Sequence, residues 1–394
     1  MSYERPIMAT IRAELSRPTP VLHVLIGARQ VGKTTIARQI EASIGIPTIY
    51  ATADSPVPLD SAWIDTQWRR ATADGAATGG PLLLILDEVQ KVRAWSETLK
   101  LLWDSRPATP DIRVLILGSS SLLMQEGLTE SLAGRFFLHR CHHWGYSECR
   151  EAFGWNLEKW LYFGGYPGAV PFAEDESAWK RYIADSLIET VLARDVIQMS
   201  RIAKPVLLRH LFALAATLPA QSVSYNKMLG QLHDAGNTTT LAHYLKLLES
   251  AFLASGLEMF SRGKVRKRGS SPKLILWNNA LVSALSTRTF ADARGDAVWW
   301  GRLVENAVGA CLCSSLHSVE YGVTYWREGI HEVDYVIARG RDIWAIEVKS
   351  GRSGKTSGLK RLRERYPEAR PLLAGAQGIP LEEFFSRDAA SWLV

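Results

Sequence analysis

Cysteine is scarce in this chain, whose 394 residues include only four. They are Cys141, Cys149, Cys311 and Cys313, and none of them belongs to a C-x-x-C pair. A small secreted scaffold needs a much denser set of cysteines for its disulfides. The composition therefore favours reduced thiols in a reducing compartment.

Long apolar runs are lacking as well. The longest uncharged stretch, 211–226, is interrupted by Pro219 and Gln221, so we expect no membrane-spanning helix. The first residues, Met1 to Arg5, have no apolar core of the kind found in signal peptides. We therefore expect a cytoplasmic protein without a membrane partner.

A strong charge of one sign is also missing. The net charge of +6 is modest for this length and does not by itself indicate a partner such as nucleic acid. With 47% hydrophobic and 22% charged residues, the composition is that of a globular protein. The length is sufficient for several domains with real cores, and no repeat or low-complexity segment is found.

A phosphate-binding motif is present near the N-terminus. The string GARQVGKTT follows the apolar run 21–26, which predicts a buried strand, and the residues after it predict a helix. Glycines at the first and sixth positions allow the backbone N–H groups to turn towards phosphates at the positive end of that helix. The predicted nucleotide contacts are Gly27, Ala28, Arg29, Gln30, Val31, Gly32, Lys33, Thr34 and Thr35.

The motif predicts ATP with Mg²⁺ as the ligand. Lys33 would neutralise the β- and γ-phosphates, and the Thr34 hydroxyl would bind the metal. A second apolar strand, 81–86, ends in Asp87 and Glu88. Asp87 would contact the metal, and Glu88 would orient or activate the attacking water.

A third apolar strand, 114–117, is followed by Gly118 and three serines. In a P-loop ATPase with an additional strand, this position holds a polar residue that senses the γ-phosphate. Ser119 or Ser120 is therefore a candidate, although a simple turn from strand to helix is an equally good interpretation.

Basic residues cluster between positions 259 and 273, with no acidic residue before Asp292. The cluster contains Arg262, Lys264, Arg266, Lys267, Arg268 and Lys273. Its glycines and serines favour an exposed loop. A preceding helix, which Asn237 and Thr238 can cap, and two flanking apolar runs, 251–260 and 274–277, complete the pattern of a winged helix.

In that interpretation, the helix enters a DNA groove and the basic wing touches phosphates. Leu241, Tyr244, Leu245 and Leu248 would form the buried stripe of the helix. Lys246 would face outward and join Lys264, Arg266, Lys267 and Arg268 as nucleic-acid contacts. A solvated surface turn, or a contact with a neighbouring domain, is the alternative.

The C-terminal part suggests a second chemistry. Two strands, 332–337 and 342–349, are joined by a turn, and strand alternation puts Glu347 and Lys349 on one face, where Asp334 can meet them. The two carboxylates would hold Mg²⁺ or Mn²⁺, and the lysine would act on a scissile phosphate. Glu305, on a predicted helix 301–317, would be a fourth member of this D…E-x-K site. The alternative is a surface ion pair between Glu347 and Lys349.

His139, Cys141, His142 and His143 lie close together in the sequence. Their position after Phe136, Phe137 and Leu138 favours a strand, and no second ligand pair stands at the spacing of a structural zinc site. We interpret them as ordinary strand residues rather than metal ligands.

Six strings follow one another along the chain: GARQVGKTT, LILDEVQ at 84–90, SLAGR at 131–135, GGYP at 164–167, LARD at 192–195 and EVKSG at 347–351. In combination they closely resemble a large prokaryotic family of AAA+ superfamily ATPases that carry a C-terminal domain of unknown function. The resemblance spans nearly the whole chain. The family usually has proline at position 28, where this chain has Ala28, but the backbone cradle does not require the proline.

The resemblance implies an α/β protein with a P-loop ATPase core built on a parallel sheet, a helical segment, a winged helix and a C-terminal domain similar to PD-(D/E)XK restriction endonucleases. It also draws attention to Arg135 and Arg194, which could contact the γ-phosphate in the same chain or in a neighbouring subunit. A structural salt bridge is the commoner role for each arginine.

These anchors divide the chain into an ATPase core at 1–151, a helical segment at 152–220, a winged helix at 221–290 and a restriction-endonuclease-like domain at 291–394. Three functions agree with them. The chain could be an ATPase that acts on DNA with a Mg²⁺-dependent nuclease site, or an ATP-controlled DNA-binding switch. It could also be a signalling ATPase whose partner is another protein or a second copy of itself.

Overall fold

The structure is a computed structural model that describes residues 3–17, 21–119, 122–197, 202–232, 236–262, 271–316, 320–351 and 357–394. The chain forms two compact units. Unit 1 contains Met1–His142 and Ala193–Arg201, and unit 2 contains His143–Leu192 and Ile202–Val394.

Unit 1 is built on a five-stranded parallel sheet with the strand order β2-β3-β4-β1-β5. The strands are β1 (Leu22–Gly27), β2 (Thr48–Thr52), β3 (Leu82–Asp87), β4 (Ile112–Ser119) and β5 (Phe136–Cys141). The helices are α1 (Pro6–Leu15), α2 (Lys33–Ser43), α3 (Ser61–Thr78), α4 (Trp95–Ser105) and α5 (Leu122–Glu130). The predicted parallel-sheet core is therefore confirmed.

The strands of this sheet are continuous apolar runs because both faces of a parallel sheet are covered. Every residue of β1 and β3 is buried. The main core cluster joins alternate residues of β1, β3 and β4 to apolar side chains of α3 and α4. Parallel pairing of β1 with β4, and of β3 with β4, brings the carboxyl ends of these strands to one edge, where ligands of open α/β sheets bind.

Unit 2 begins with helices and short helical turns and ends with a mixed sheet. Its helices up to that sheet are α6 (Tyr146–Phe153), α7 (Leu157–Phe163), α8 (Glu176–Arg181), α9 (Pro205–Thr217), α10 (Tyr225–Gln231), α11 (Thr238–Ser250), α12 (Asn279–Ser283), α13 (Phe290–Gly295) and α14 (Ala297–Ser315). Unit 2 also contains the π-helical segment Tyr182–Ile188 and the 3-10 helix Pro167–Phe172. A second π-helical segment, Val191–Ile197, begins in unit 2 and belongs to unit 1 from Ala193 onward.

A two-stranded antiparallel pair follows α11 in the chain. It consists of β6 (Ala254–Leu257) and β7 (Lys273–Leu276). The predicted apolar runs 251–260 and 274–277 contain most of these strands, although the first strand is shorter than the run.

The four-stranded sheet has the order β11-β10-β9-β8. Its strands are β8 (Gly322–Glu328), β9 (His331–Arg339), β10 (Asp342–Lys349) and β11 (Arg370–Gly375), and its remaining helices are α15 (Ser357–Arg365) and α16 (Leu381–Ser386). The strands β8, β9 and β10 are antiparallel, whereas β10 and β11 are parallel. The predicted hairpin of β9 and β10 is confirmed, with Gly340 in its turn at φ 60°.

The helix before this sheet differs from the prediction. A start at position 301 was expected, but α14 begins at Ala297 and ends at Ser315. Asp296 accounts for the earlier start, because its carboxylate accepts the N–H groups of Val298 and Trp299 as an N-cap.

Candidate functional site

The phosphate-binding string forms the loop between β1 and α2. Gly32 lies in the left-handed region with φ 94°, and Gln30 does so with φ 56°. Gly27 has a different reason to be glycine, because a Cβ atom there would collide with the carbonyl oxygen of Cys141 on β5. The buried Arg5 supports the loop from outside by donating to the carbonyl oxygen of Val31 over 3.1 Å. Sequence reasoning missed this arginine.

The loop leaves the N-terminus of α2 open for an anion. Gly32 is the N-cap and contributes no side-chain hydrogen bond, and the first turn contains no acidic residue. The first backbone N–H groups of the helix therefore have no side-chain acceptor at the cap, and they carry the positive end of the helix dipole. Within the loop, Ala28 and Val31 are buried, whereas Thr35 in the first turn of α2 is exposed.

Lys33 folds back over the loop. Its Nζ atom donates to the carbonyl oxygens of Gly27 over 3.0 Å and Ala28 over 2.7 Å. Desolvation lowers the pKa of Lys33, and nearby acidic groups that include Glu88 and Asp87 oppose this shift. The ammonium thus lies in the cradle with neutral carbonyl partners, which a phosphate could replace with a stronger, charged partner.

Thr34 and Asp87 are brought together as the sequence predicted. The Thr34 hydroxyl donates to Oδ2 of Asp87 over 3.0 Å. Tyr50 on β2 donates to the same oxygen over 2.5 Å, and burial followed by this hydrogen bond raises the pKa of Tyr50. Asp87 is 5% exposed. Hydroxyl and carboxylate oxygens side by side form a donor set that suits Mg²⁺.

Glu88 follows Asp87 in the left-handed conformation, with φ 56°. Its carboxylate accepts a hydrogen bond from Nε2 of Gln90 over 3.0 Å, and the same nitrogen lies 3.2 Å from Oγ of Ser119. Within the described part of the chain, the buried Oε1 atom of Gln90 has no hydrogen-bond partner. Gln90 therefore connects the predicted base to the predicted sensor, which sequence reasoning had not foreseen. Ser120, the alternative sensor, lies outside the described residues.

Arg29 of the loop is held by a residue from far along the chain. Its guanidinium donates twice to the carboxylate of Asp195, over 2.5 and 2.7 Å. The Asp195 side chain is 2% exposed, so the carboxylate of this pair is almost completely shielded from solvent. Arg194 lies close enough to Asp54 to help lower the pKa of that carboxyl, after the larger effect of Lys91. The segment around Arg194 therefore lies beside the loop.

Arg135 lies at the other end of the sheet. Its backbone carbonyl accepts from the N–H of Leu22, the first residue of β1, while Gly27 ends that strand. Five residues of strand separate the two ends by roughly 16 Å. The Arg135 guanidinium instead makes a bidentate pair with Asp104, at 2.7 and 2.8 Å. Contact with the γ-phosphate of the same chain, one of the two expected roles, does not agree with this position.

Helix α11 shows the predicted two faces. Leu241, Tyr244, Leu245 and Leu248 are buried, and Lys246 is exposed. Asn237 caps the helix by accepting from the N–H of Thr240 over 2.8 Å. Lys264, Arg266, Lys267 and Arg268 lie outside the described residues.

Lys273 corrects the prediction of a uniformly exposed basic loop. Its side chain is completely buried at the start of β7. The Nζ atom lies 2.6 Å from Oε1 of Glu305, 3.5 Å from Oε1 of Glu332 and 3.7 Å from Oδ1 of Asp334. The sequence offered no signal for this, because a lysine at the end of a basic run is usually solvated.

Asp334, Glu347 and Lys349 lie where β9 and β10 separate. The paired register ends at Ile346 and Tyr335, and the N–H of Val348 donates to Oδ2 of Asp334 over 2.8 Å. Lys349 donates to Oε1 of Glu347 over 2.6 Å, as strand alternation predicted. The other oxygen of Glu347, Oε2, is buried and has no hydrogen-bond partner among the residues that the structure describes.

Two carboxyl groups of this cluster, those of Glu305 and Glu347, have raised pKa values. Burial, opposed by Lys273 and reinforced by Asp334, raises the pKa of Glu305 to about 7. Burial and then Asp334 raise the pKa of Glu347 to about 7. Burial alone would lower the pKa of Lys273, but the surrounding carboxylates outweigh it and raise the pKa. The cluster is therefore a group of coupled charges with no excess of positive charge.

A cation would fit only part of this cluster. Within the described ranges, Glu305, Asp334 and Glu347 do not bring three ligand atoms within 4.8 Å of one another. Glu305 is engaged by Lys273 and by Arg302, the latter at 3.2 Å. The unpartnered Glu347 oxygen and the nearby Asp334 are the hard oxygen donors left for a divalent cation.

Three family models match successive parts of the chain. Residues 20–149 match the family model described as an AAA domain. Residues 154–292 match a domain of unknown function, DUF8612, and residues 300–383 match another, DUF4143. The chain thus contains an AAA-type P-loop ATPase domain followed by two domains of unknown function. An AAA domain implies ATP binding, typically with Mg²⁺, and suggests ATPase activity.

Solved structures that match the chain include the following two. One is a Walker-type ATPase of Pyrococcus abyssi, with 13% identity and a TM-score of 0.49 over 72% of this chain and 96% of that one. The other is the Orc1 protein of Aeropyrum pernix in complex with DNA, with 15% identity and a TM-score of 0.29 over 75% of this chain and 95% of that one. No curated protein matches the chain. In the described part of the chain, no helix has the length and apolarity needed to cross a membrane.

Proposed function

We propose that the chain is a Mg²⁺-dependent ATP hydrolase. The observation that carries this proposal is the hydrogen bond between Thr34 and Asp87, which sets a hydroxyl and a carboxylate side by side next to the phosphate loop. Thr34 and Asp87 would hold the ion, directly or through water, and the bound ion would supply neutralising charge for the β- and γ-phosphates. Lys33 would exchange its carbonyl partners for the same phosphates.

Glu88 is the residue proposed to orient and activate the attacking water. Gln90 would hold its carboxylate in place, and Ser119 would hold Gln90. Because Gln90 keeps one buried oxygen unpartnered, it has capacity to accept a hydrogen bond from water or from Ser119. These three residues would link the state of the γ-phosphate to the position of the base.

The test is ATP hydrolysis measured on the full chain with and without double-stranded DNA. Glu88→Gln should abolish turnover and keep ATP binding, whereas Lys33→Ala should lose binding. Glu97→Gln, on the exposed side of α4, is the matched control. Hydrolysis by Glu88→Gln at the wild-type rate would refute the assigned role.

We further propose that residues 221–290 form a winged helix through which DNA controls the ATPase, within a division of the chain at 1–151, 152–220, 221–290 and 291–394. Support comes from α10, α11 and the antiparallel pair β6 and β7, and from the exposed Lys246 on α11. The wing residues proposed to contact DNA are Lys264, Arg266, Lys267 and Arg268.

DNA binding should weaken with salt if these cations touch phosphates. Replacing the four wing residues by alanine should reduce the slope of log affinity against log salt by about 1 for each lost contact. Lys360→Ala, on the exposed face of α15, is the control. Absence of DNA binding by the wild type at low salt would refute this proposal. It would favour a protein partner or a homo-oligomer. Analytical ultracentrifugation with and without ATP would detect the homo-oligomer.

A second candidate function is Mg²⁺-dependent cleavage of DNA by the C-terminal cluster. The specific observation is the buried, unpartnered Oε2 atom of Glu347 beside Asp334 and Lys349. Asp334 and Glu347 would hold the ion, and Lys349 would stabilise charge on the scissile phosphate. Glu305, although expected as a catalytic member, would act through its pair with Lys273.

Cleavage should require Mg²⁺ or Mn²⁺ and should disappear in Asp334→Ala and in Lys349→Ala. Lys360→Ala should cleave like the wild type. Cleavage by both site variants at the wild-type rate would exclude this cluster as the active site. A wild type that binds DNA without cleaving it would leave the ATP-controlled binding switch as the function.

A further inference from the structure

Three potential metal ligands converge in unit 1 at a place separate from the phosphate loop. They are Glu14 on α1, His23 on β1 and His139 on β5. Strands β1 and β5 are parallel neighbours, with Leu25 opposite His139, so the two histidines are offset by two residues in the register. In the described part of the chain, this is the only set of three such side chains whose ligand atoms lie within 4.8 Å of one another.

The distances between the three ligand atoms match a tetrahedral metal. Nδ1 of His23 lies 3.1 Å from Nε2 of His139. Oε2 of Glu14 lies 3.8 Å from the first nitrogen and 3.4 Å from the second. Ligands bound to Zn²⁺ at ordinary lengths in a tetrahedron are separated by about 3.3 Å. A metal could therefore be accepted with shifts of a few tenths of an ångström.

The surroundings favour a borderline metal over Mg²⁺ or Ca²⁺. Two imidazoles and one carboxylate are ligands that zinc-class divalent ions prefer, whereas the alkaline-earth ions require mostly oxygen. The side chains of His23 and His139 are 3% and 7% exposed, and that of Glu14 is 32% exposed. The carboxylate thus lies at the open side of the site, where an ion can enter and water can complete the coordination.

Burial disfavours the charged form of both imidazoles. Burial, with the neighbouring His139 and against Glu14, lowers the pKa of His23 to about 4. Burial lowers the pKa of His139 to about 4 as well. Their rings are stacked with 5.4 Å between centroids and 14° between planes.

We propose that Glu14, His23 and His139 bind one divalent transition-metal ion of the zinc class, with a water molecule as the fourth ligand. The ion would tie α1 to the two strands β1 and β5, the same strands whose carboxyl ends carry Gly27 and Cys141. Arg5, which donates to the loop carbonyl of Val31, directly precedes α1. By fixing α1, the metal would hold Arg5 in place and so stabilise the phosphate loop rather than take part in hydrolysis. The proposal is independent of the function assigned to the nucleotide site.

The experiment uses the full chain without a histidine tag, stripped with a chelator and kept in excess Mg²⁺ so that Thr34 and Asp87 are not competing ligands. Titration calorimetry with Zn²⁺ should show one ion per chain. Co²⁺ should give the intense visible absorption of tetrahedral coordination, and Zn²⁺ should raise the thermal midpoint.

Glu14→Gln and His139→Gln should each weaken Zn²⁺ binding by at least about tenfold, the size of effect that even an outer-shell change produces. His210→Gln, exposed on α9, is the matched control and should bind like the wild type. Glu14→Gln keeps its hydrogen-bonding capacity on a partly exposed helix, so it should fold even if His139→Gln does not. Absence of Co²⁺ absorption in the wild type, or equal Zn²⁺ affinity in Glu14→Gln and the control, would overturn the proposal. Hydrogen bonds alone would then join the three side chains.

Discussion

Lys273 and Glu305 form a salt bridge of 2.6 Å in the interior of unit 2, with the lysine side chain completely buried. The lysine begins strand β7, and the glutamate lies on α14, so the pair joins two segments of the chain that are distant in sequence. Its backbone partner is the carbonyl oxygen of Asp334 on β9, at 3.1 Å. One buried cation therefore engages two members of the site that the sequence suggested, Glu305 and Asp334.

Lys273→Met should destabilise the protein by about 3 to 5 kcal/mol, because it leaves buried carboxylates without their cation. The measurement is urea unfolding at neutral pH. The double variant Lys273→Met/Glu305→Gln should recover part of the loss, since it also removes one of the uncompensated charges. Lys227→Met, at an exposed position, is the control. A loss no larger than that of the control would show that the ammonium is not needed inside unit 2.

The stability of unit 2 should fall as pH rises through 7. The pKa of Glu305 and that of Glu347 are raised to about 7 in the folded protein, above the value of about 4.3 for an unfolded glutamate. Stabilisation by the retained protons is complete below the unfolded pKa and is lost as pH rises through the folded pKa. Between pH 5 and pH 8 we expect a loss on the order of 2 kcal/mol.

Glu347→Gln should flatten this pH dependence, because the amide stays neutral throughout. Unfolding curves at several pH values, with Glu364→Gln as an exposed control, measure the difference. If the variant and the control lose stability equally with pH, other groups must dominate the titration.

Gln90→Ala should lower kcat of ATP hydrolysis by about tenfold or more while ATP affinity stays nearly unchanged. Gln90 positions Glu88 and does not touch the expected phosphate sites, so its loss affects the chemical step more than binding. Ser119→Ala should have a weaker effect in the same direction. Gln231→Ala, exposed on α10, is the control. A rise in KM with unchanged kcat would contradict a positioning role.

Arg135→Ala should leave ATP affinity within about twofold of the wild type, since its pair with Asp104 is exposed and such pairs contribute little. Equilibrium binding of ATP at low protein concentration is the measurement, and Lys33→Ala provides the contrasting loss. If Arg135 reaches a neighbouring subunit's nucleotide, hydrolysis should fall in the variant at protein concentrations that allow assembly. A tenfold weaker affinity in the dilute protein would contradict the position at the far end of the sheet.

Much of the nucleotide site could be predicted because its parts are local. The loop from Gly27 to Thr35 lies between a strand and a helix, and Asp87 with Glu88 ends a neighbouring strand. Carboxyl ends of parallel strands meet at one edge, so proximity followed from the strand pattern alone. In the same way, the alternation of β10 predicted that Lys349 would meet Glu347.

Partners from distant parts of the chain could not be predicted in this way. Asp195 reaches Arg29 across 166 residues, and Gln90 meets Ser119 across 29. The position of Arg135 could not be predicted, because closeness in sequence to the sensor strand does not reveal which end of the sheet a residue occupies. Lys273 was misjudged because nothing in a basic run distinguishes the one lysine that tertiary packing buries.

The sequence by itself determined the ligand class of unit 1, since the chemistry of a phosphate loop resides in consecutive residues and in the backbone between them. Only the tertiary structure decided which charges are compensated. It buried Lys273 among three carboxylates, and it brought Glu14, His23 and His139 within reach of one ion. The physical reason is that hydrogen-bonding geometry along one strand or helix is set by short-range periodicity, whereas desolvation and ion pairing depend on which elements pack together.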